Sequence, residues 1–291
     1  MILTLTMNPA LDITTSVTTV VPTHKMRCGT PRYDPGGGGV NVAKVARSMG
    51  CRVSAIFPAG GATGESLCRR LADAGVPVDR IPIAESTRES FTVNELSSEQ
   101  QYRFVLPGPE LSHAEWSECL KRLAHLAPAA QFVVVSGSLP PGVPADFYQR
   151  AADICGDLDV PMILDSSGAG LRELRGVVFL LKPSLRELCE CVGDELANES
   201  DQIAAARTLV TSERARNVVL SLGADGALLV TATGAQRFSP IAVPRGSGVG
   251  AGDAMVAGIA IGLARGWSLA KAVQLGTAAG AAMLLTPGTE C

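Results

Sequence analysis

Residues 245–266 read RGSGVGAGDAMVAGIAIGLARG. Four alternating glycines, Gly246, Gly248, Gly250 and Gly252, lead to a single carboxylate, Asp253, and then to a run of small and apolar residues. Glycines ahead of a helix let backbone N–H groups converge on an anion without Cβ obstruction, and the helix N-terminus adds partial positive charge. Phosphate is the guest that this stretch suits, and the apolar run behind it reads as a helix buried in a core. Gly246-x-Gly248-x-x-Ala251 also matches the dinucleotide fingerprint G-x-G-x-x-G/A. That reading expects the motif after the first strand, with an acid about 20 residues later for the ribose. Here the motif lies near the far end of the chain, with no Asp or Glu between Asp253 and Glu290.

By itself Asp253 reads as a helix cap, since acids in the first turn are worth about 0.5 to 2 kcal/mol. Beside an anion-binding loop the same carboxylate can take a proton from an alcohol while the amides stabilise a phosphoryl group in transfer. A second cluster, DPGGGGVNVAKVARSMG at 34–50, carries four consecutive glycines. They offer nothing to packing and each costs about 0.5 to 1 kcal/mol of backbone entropy, so they are expected to let a ligand approach. Asn41 is expected to open the following helix, either as its N-cap or with its amide on ligand hydroxyls. A third glycine-rich link, FPAGGATGE at 57–65, is expected to line the same crevice.

Outward from these clusters, short apolar runs alternate with helix-period segments, the pattern of a largely parallel sheet with crossover helices. The spacing predicts strands at 2–7, 53–57, 132–136, 162–165, 178–181, 218–221 and 227–230, and helices at 42–49, 64–74, 113–126, 144–154, 185–192, 201–210, 253–264 and 269–285. Two regions break the rhythm. Segments 13–20 with 26–33, and 90–96 with 101–106, alternate polar and apolar residues as strand pairs with one solvated face. They predict a small four-stranded sheet beside the α/β core, placed to act as a lid or an oligomer contact.

The composition narrows the function. A chain of 291 residues with 46% hydrophobic and 18% charged residues has the material for one large core. A net charge of −3 without a basic run argues against nucleic acid or an anionic membrane surface as partner and favours a small ligand. Mean hydropathy is +0.24, but the apolar stretches at 254–264 and 272–285 are too short to span a bilayer and are separated by Arg265 and Lys271. The first residues, MILTLTMNPALD, read as a strand rather than a signal peptide, which predicts a cytoplasmic protein. Eight cysteines without a C-x-x-C pair predict free thiols rather than a zinc site. His113 and His125 fall in a helical pattern and are expected at the surface.

GGGGVNVAKVARSMG at 36–50 and GSGVGAGDAMVAG at 246–258 resemble the paired signatures of the PfkB group of the ribokinase superfamily, the ATP-dependent sugar kinases. The resemblance continues through LTMNPALD, SGSLPPGV, LDSSG, LKPSLRELCE and SLGADGALL, and so covers essentially the whole chain. Within the group, PGGGGVNVA, HKMRC, FPAGGATGE and QYRFVLPG are most similar to the minor 6-phosphofructokinase branch. The resemblance implies a ribokinase-like α/β fold: a three-layer αβα core with a mostly parallel sheet plus a small β-sheet lid. It implies a single domain over 1–291 with lid strands inserted at about 12–34 and 88–107. The activity implied is ATP- and Mg²⁺-dependent phosphorylation of fructose 6-phosphate, with tagatose 6-phosphate or fructose 1-phosphate as the competing acceptor.

By the same resemblance Asp253 is the base, and Gly250, Ala251 and Gly252 form the anion hole. Asp12, Gly38, Gly39 and Asn41 hold the sugar, with Ser136 and Ser138 on the ligand side of the sheet. Arg88 supplies a cation for the sugar phosphate, and Lys25 is left open between that role, the nucleotide and the neighbouring subunit. Lys182, Ser184, Glu187, Ser221, Gly223 and Gly226 serve the nucleotide, and Glu187 and Asp165 serve Mg²⁺, in part through water. Main-chain groups near Thr286, Gly288 and Glu290 would bind a monovalent cation, which leaves K⁺ dependence open. Two departures stand out: Ser184 replaces the asparagine of the usual N-x-x-E, and related chains are expected to continue past TPGTEC into a further helix. A homodimer through the lid is expected. Two other classes stay in view, a non-catalytic sugar or nucleotide sensor and, weakened by the missing ribose acid, an NAD-dependent oxidoreductase.

Overall fold

In the computed structural model, which describes residues 1–244 and 248–286, the continuously apolar runs become the inner strands of a nine-stranded sheet. In chain order the strands are β1 (Ile2–Leu5), β2 (Ala10–Val17), β3 (Arg32–Gly36), β4 (Val53–Ala59), β5 (Val78–Pro82), β6 (Arg88–Glu95), β7 (Gln101–Val105), β8 (Phe132–Ser136), β9 (Met162–Asp165), β10 (Val178–Leu181), β11 (Ala215–Ser221), β12 (Ala227–Thr231) and β13 (Gly234–Phe238). The α-helices are α1 (Gly38–Ser48), α2 (Gly61–Asp73), α3 (His113–Leu126), α4 (Phe147–Asp157), α5 (Gly168–Arg172), α6 (Leu185–Val192), α7 (Glu199–Thr211), α8 (Ala251–Ala264) and α9 (Leu269–Met283).

The large sheet runs β13-β12-β11-β10-β9-β8-β1-β4-β5. It is parallel from β5 to β11 and ends in an antiparallel meander through β12 and β13. Strand pleating sends alternate side chains to opposite faces. Thus Val133 and Val135 join one buried layer with Trp116, Leu123 and Phe147, while Val134 joins the other with Val42, Val256 and Ile259. Both faces are covered, which is why these strands carry no polar alternation. Helix α8 packs on α9 through small residues, with Gly258 against Gly276 and Gly262 against Ala272.

The second sheet, β3-β2-β6-β7, has a parallel β2–β6 pair between antiparallel neighbours. Phe91, Phe104 and Tyr33 remain 37%, 56% and 37% exposed on it, so apolar surface is left uncovered. The expected strand segments at 18–20 and 26–31 are instead irregular: Pro22 and Pro31 have no N–H to give a ladder, and pairing resumes only at Arg32. Two strands absent from the sequence reading, β5 and β13, are the edges of the large sheet, and Pro82 closes the first of them. His113 and His125 are exposed as expected, and all seven described cysteines are free. No described helix is long and apolar enough to cross a membrane.

Candidate active site

The carboxyl ends of the parallel strands gather the chemistry, as expected where crossover connections reverse in an open α/β sheet. Asp165 ends β9, Lys182 follows β10, Ser221 ends β11, and Ser136 ends β8 with Ser138 just beyond it. Into this edge points the N-terminus of α8. Its N-cap, Gly250, has φ 79°, a left-handed conformation that glycine adopts without strain.

Two cavities meet there. One, of about 810 Å³, lies under the small sheet and is lined by Asp12, Gly38, Asn41, Arg88, Ser136 and Ser138 among others. The second, of about 910 Å³, lies over the core and is lined by Lys182, Ser184, Glu187, Ser221, Gly223 and Gly226, with Ile241, Val243 and Met255 adding apolar walls. Asp165 and Glu187 line both. The first turn of α8 forms the partition: Gly250 and Asp253 face the lid-side chamber, and Ala251 and Gly252 face the core-side chamber.

Asp253 Oδ2 accepts a hydrogen bond from Asn41 Nδ2 at 2.8 Å. Burial, and after it the Asp165 carboxylate, push the Asp253 carboxyl up to about 7, while the Asn41 hydrogen bond and the Lys182 ammonium pull it down. A carboxyl poised there can exchange a proton near neutrality. Lys182 is 3% exposed and pairs with Asp165 at 3.2 Å. Burial works against its charge, but Asp165 and Glu187 outweigh burial and hold the ammonium above its ordinary pKa. At the far side of the lid chamber, burial raises the Asp12 carboxyl, opposed by Arg88, Arg103 and Lys44. Arg88 donates to the carbonyls of Leu106 at 3.1 Å and Asn8 at 3.0 Å, which fixes its guanidinium at the start of β6.

Several expectations need correction. The four glycines of 36–39 do have packing value. A Cβ on Gly36 would come 2.1 Å from Asp12 Oδ2, one on Gly38 2.2 Å from Ser136 Oγ, and one on Gly39 2.5 Å from Thr6 Oγ1. Gly39 is buried against β1 and does not line the chamber. Asn41 is not an N-cap: α1 starts at Gly38 with Gly37 as its cap, which puts Asn41 one turn inside, facing Asp253. Lys25 lies in the exposed segment between β2 and β3 and lines neither cavity. Ser184 is the N-cap of α6, where its Oγ accepts from the Glu187 amide at 3.3 Å and Glu187 Oε2 accepts from the Ser184 amide at 2.8 Å. Thr286 lines the lid-side chamber, whereas Gly246, Gly288 and Glu290 lie outside the described residues.

Arg103 and Arg32 line the lid chamber without having been singled out in the sequence. Their signal lies in strand register: Thr14 pairs with Arg32 and Thr92, and Thr92 with Arg103, so one row of the small sheet carries both cations. Among the described residues no three His, Cys, Asp or Glu groups form a metal cage. Two carboxylates at the seam of two cavities nonetheless fit Mg²⁺, which takes most of its ligands from phosphate and water.

The model of the family described as pfkB family carbohydrate kinase matches residues 5–291. An ATP-dependent 6-phosphofructokinase isozyme 2 from Mycobacterium tuberculosis is 63% identical over 288 residues, covering 99% of this chain and 85% of that protein. Crystal structures of phosphofructokinase-2 from Escherichia coli are 40% identical. The complex with potassium gives a TM-score of 0.94, covering 99% of this chain and 94% of that one, and the complex with fructose-6-phosphate gives 0.93, covering 98% and 93%.

Proposed function

The chain belongs to the pfkB family of carbohydrate kinases, and from that premise we propose that it transfers the γ-phosphoryl group of ATP to the 1-hydroxyl of fructose 6-phosphate. The observation that carries the reading is the partition of the two cavities by one helix turn, with an acid on one side and bare backbone on the other. The sugar phosphate belongs in the polar lid-side chamber. There Asp12 and Asn41 meet its hydroxyls, and Arg88 with Ser138 meets its 6-phosphate. The nucleotide belongs in the core-side chamber, between the Ser221–Gly226 loop and the apolar wall at Met255.

Asp253 takes the proton from the 1-hydroxyl as that oxygen attacks the γ-phosphorus and the bond to the β-phosphate oxygen breaks, which releases ADP. Asn41 occupies Oδ2 of Asp253 and leaves Oδ1 to receive the proton. The first amides of α8 have no intrahelical acceptor and stabilise charge on the transferring group. Asp165 and Glu187 would hold Mg²⁺ arriving with ATP, which supplies neutralising charge to the phosphates. Lys182, kept charged by its carboxylate neighbours, adds a fixed cation on the same side. Closure of the small sheet would exclude water, so that ATP is not spent on hydrolysis.

Coupled ADP release at saturating Mg·ATP tests the reading. Fructose 6-phosphate should give the highest kcat/KM, ahead of tagatose 6-phosphate and fructose 1-phosphate, with a further rise in K⁺, the ion held by the Escherichia coli relative. Turnover absent with all three sugars would leave the sensor reading in its place. The uncovered Phe91, Phe104 and Tyr33 support a homodimer through the lid, in which Lys25 serves the neighbouring subunit. A monomer by light scattering would contradict that pairing.

A further inference from the structure

Asn8 follows β1 and is 7% exposed. Its Nδ2 donates to Ser138 Oγ at 3.2 Å, and its main-chain carbonyl accepts from Arg88 Nη2 at 3.0 Å. Arg88 comes from the small sheet and Ser138 from the loop after β8, and both line the lid-side chamber. Asn8 does not line it, yet it ties together the two groups assigned to the sugar phosphate.

The other end of the carboxamide differs. Asn8 Oδ1 is buried without a hydrogen-bond partner, pressed so close to Gly108 that a Cβ there would come within 2.3 Å. Leaving a buried acceptor unmade costs stability, so fold stability alone does not account for an asparagine here. The Nδ2 contact has a chemical consequence that stability does not capture. A serine hydroxyl carries one proton and two lone pairs, and a carboxamide NH₂ can only donate. With Nδ2 occupying a lone pair of Ser138 Oγ, the serine proton must point elsewhere, and Ser138 is exposed toward the chamber.

We propose that Asn8 is a positioning residue that sets Ser138 as a hydrogen-bond donor toward the anionic phosphate of the sugar substrate, and so helps select a phosphorylated over an unphosphorylated sugar. The inference rests on the kinase reading above and deepens it. A donor suits a dianion, and a hydroxyl presenting only lone pairs would repel it. Arg88, held by the carbonyl of the same residue, supplies the charge.

Asn8→Asp is the discriminating variant, because the side chain keeps its size but can only accept at neutral pH. It takes the Ser138 proton and turns lone pairs toward the phosphate. Calorimetric titration should show fructose 6-phosphate binding weakened by about tenfold or more. KM for that sugar should rise in parallel, with kcat at saturating sugar and KM for ATP unchanged within about twofold. In a Ser138→Ala background the same substitution should change affinity by less than about twofold, since its target is gone. Asn8→Ser, too short to reach Ser138, should give a smaller loss that again vanishes in that background, and it serves where Asn8→Asp does not fold. Wild-type affinity in both variants overturns the proposal. So does an equal loss in both backgrounds, the signature of plain charge repulsion or loosened packing. The parent reading fails separately: a wild type that binds fructose 6-phosphate but releases no ADP contradicts the kinase and leaves the binding comparison intact. A wild type that does not bind this sugar overturns both.

Discussion

The glycines of 36–39 and those of 250–252 look alike in the sequence and differ in the fold. The first group is packed against the chain itself: Gly38 sits on Ser136 and the Gly137 amide, and Gly39 on the Leu5 carbonyl. In the second group Gly252 is open: among the described residues a Cβ there would find only Lys182 Nζ, 3.7 Å away. Bare backbone therefore does two jobs here. At α1 it lets two layers of protein close up and brings Asn41 to Asp253. At α8 it leaves room for something that is not protein, and the only acid in the first turn of the helix stands beside that room.

This contrast can be broken by substitution. Gly38→Ala meets main-chain atoms of Ser136 and Gly137 at 2.8 and 2.9 Å, which cannot move aside cheaply. It should lower stability by about 1 to 3 kcal/mol, read as a fall in melting temperature. Gly252→Ala sits in the first turn of a helix and should leave the melting temperature unchanged or slightly higher, while slowing ADP release by roughly tenfold or more as the methyl crowds the transferring group. Equal losses of stability at both positions would remove the distinction.

A smaller effect sharpens it. Asp253 must be ionised to act as a base, so kcat/KM should rise with pH through about 7 and level off above it. Asn41→Ala removes the hydrogen bond that favours the ionised form, so the midpoint should move to higher pH. An unmoved profile would detach α1 from the chemistry. The same titration has a stability sign. Burial raises the folded-state pKa above the unfolded one, so stability is full below the unfolded value of 3.8 and is lost as pH rises to about 7. Asp253→Asn should therefore melt above the wild type beyond pH 7 and alongside it at low pH.

Much of the fold was legible because the signal was local. The runs ILTL and FVVVS carry their burial on their face, and the capping box of Ser112 and Glu115 marks the start of α3 at His113. Features set by tertiary contact were not. Strand β5 carries Asp79 and Arg80 and ends in proline, acceptable only because it is an edge. The sequence pattern starts α1 four residues late because glycine is a poor helix former, and only close packing against β1 and β8 favours it there. At the site, Asp253, Asp12, Arg88 and the nucleotide-side residues could be named from motifs. Gly39, buried against β1, and Lys25, on an exposed segment, line neither cavity of a single chain, and Arg103 and Asn8 became visible only through strand register and the hydrogen bonds that cross from lid to core.

The most direct test concerns the carboxylate at the seam. Asp253→Asn keeps the size of the side chain and removes the base. The expected result is a loss of ADP release with fructose 6-phosphate of about 10²-fold or more, with calorimetric affinities for ATP and for the sugar phosphate close to those of the wild type. Turnover within a few-fold of the wild-type rate, or loss of both binding events along with it, would contradict Asp253 as the group that takes the proton.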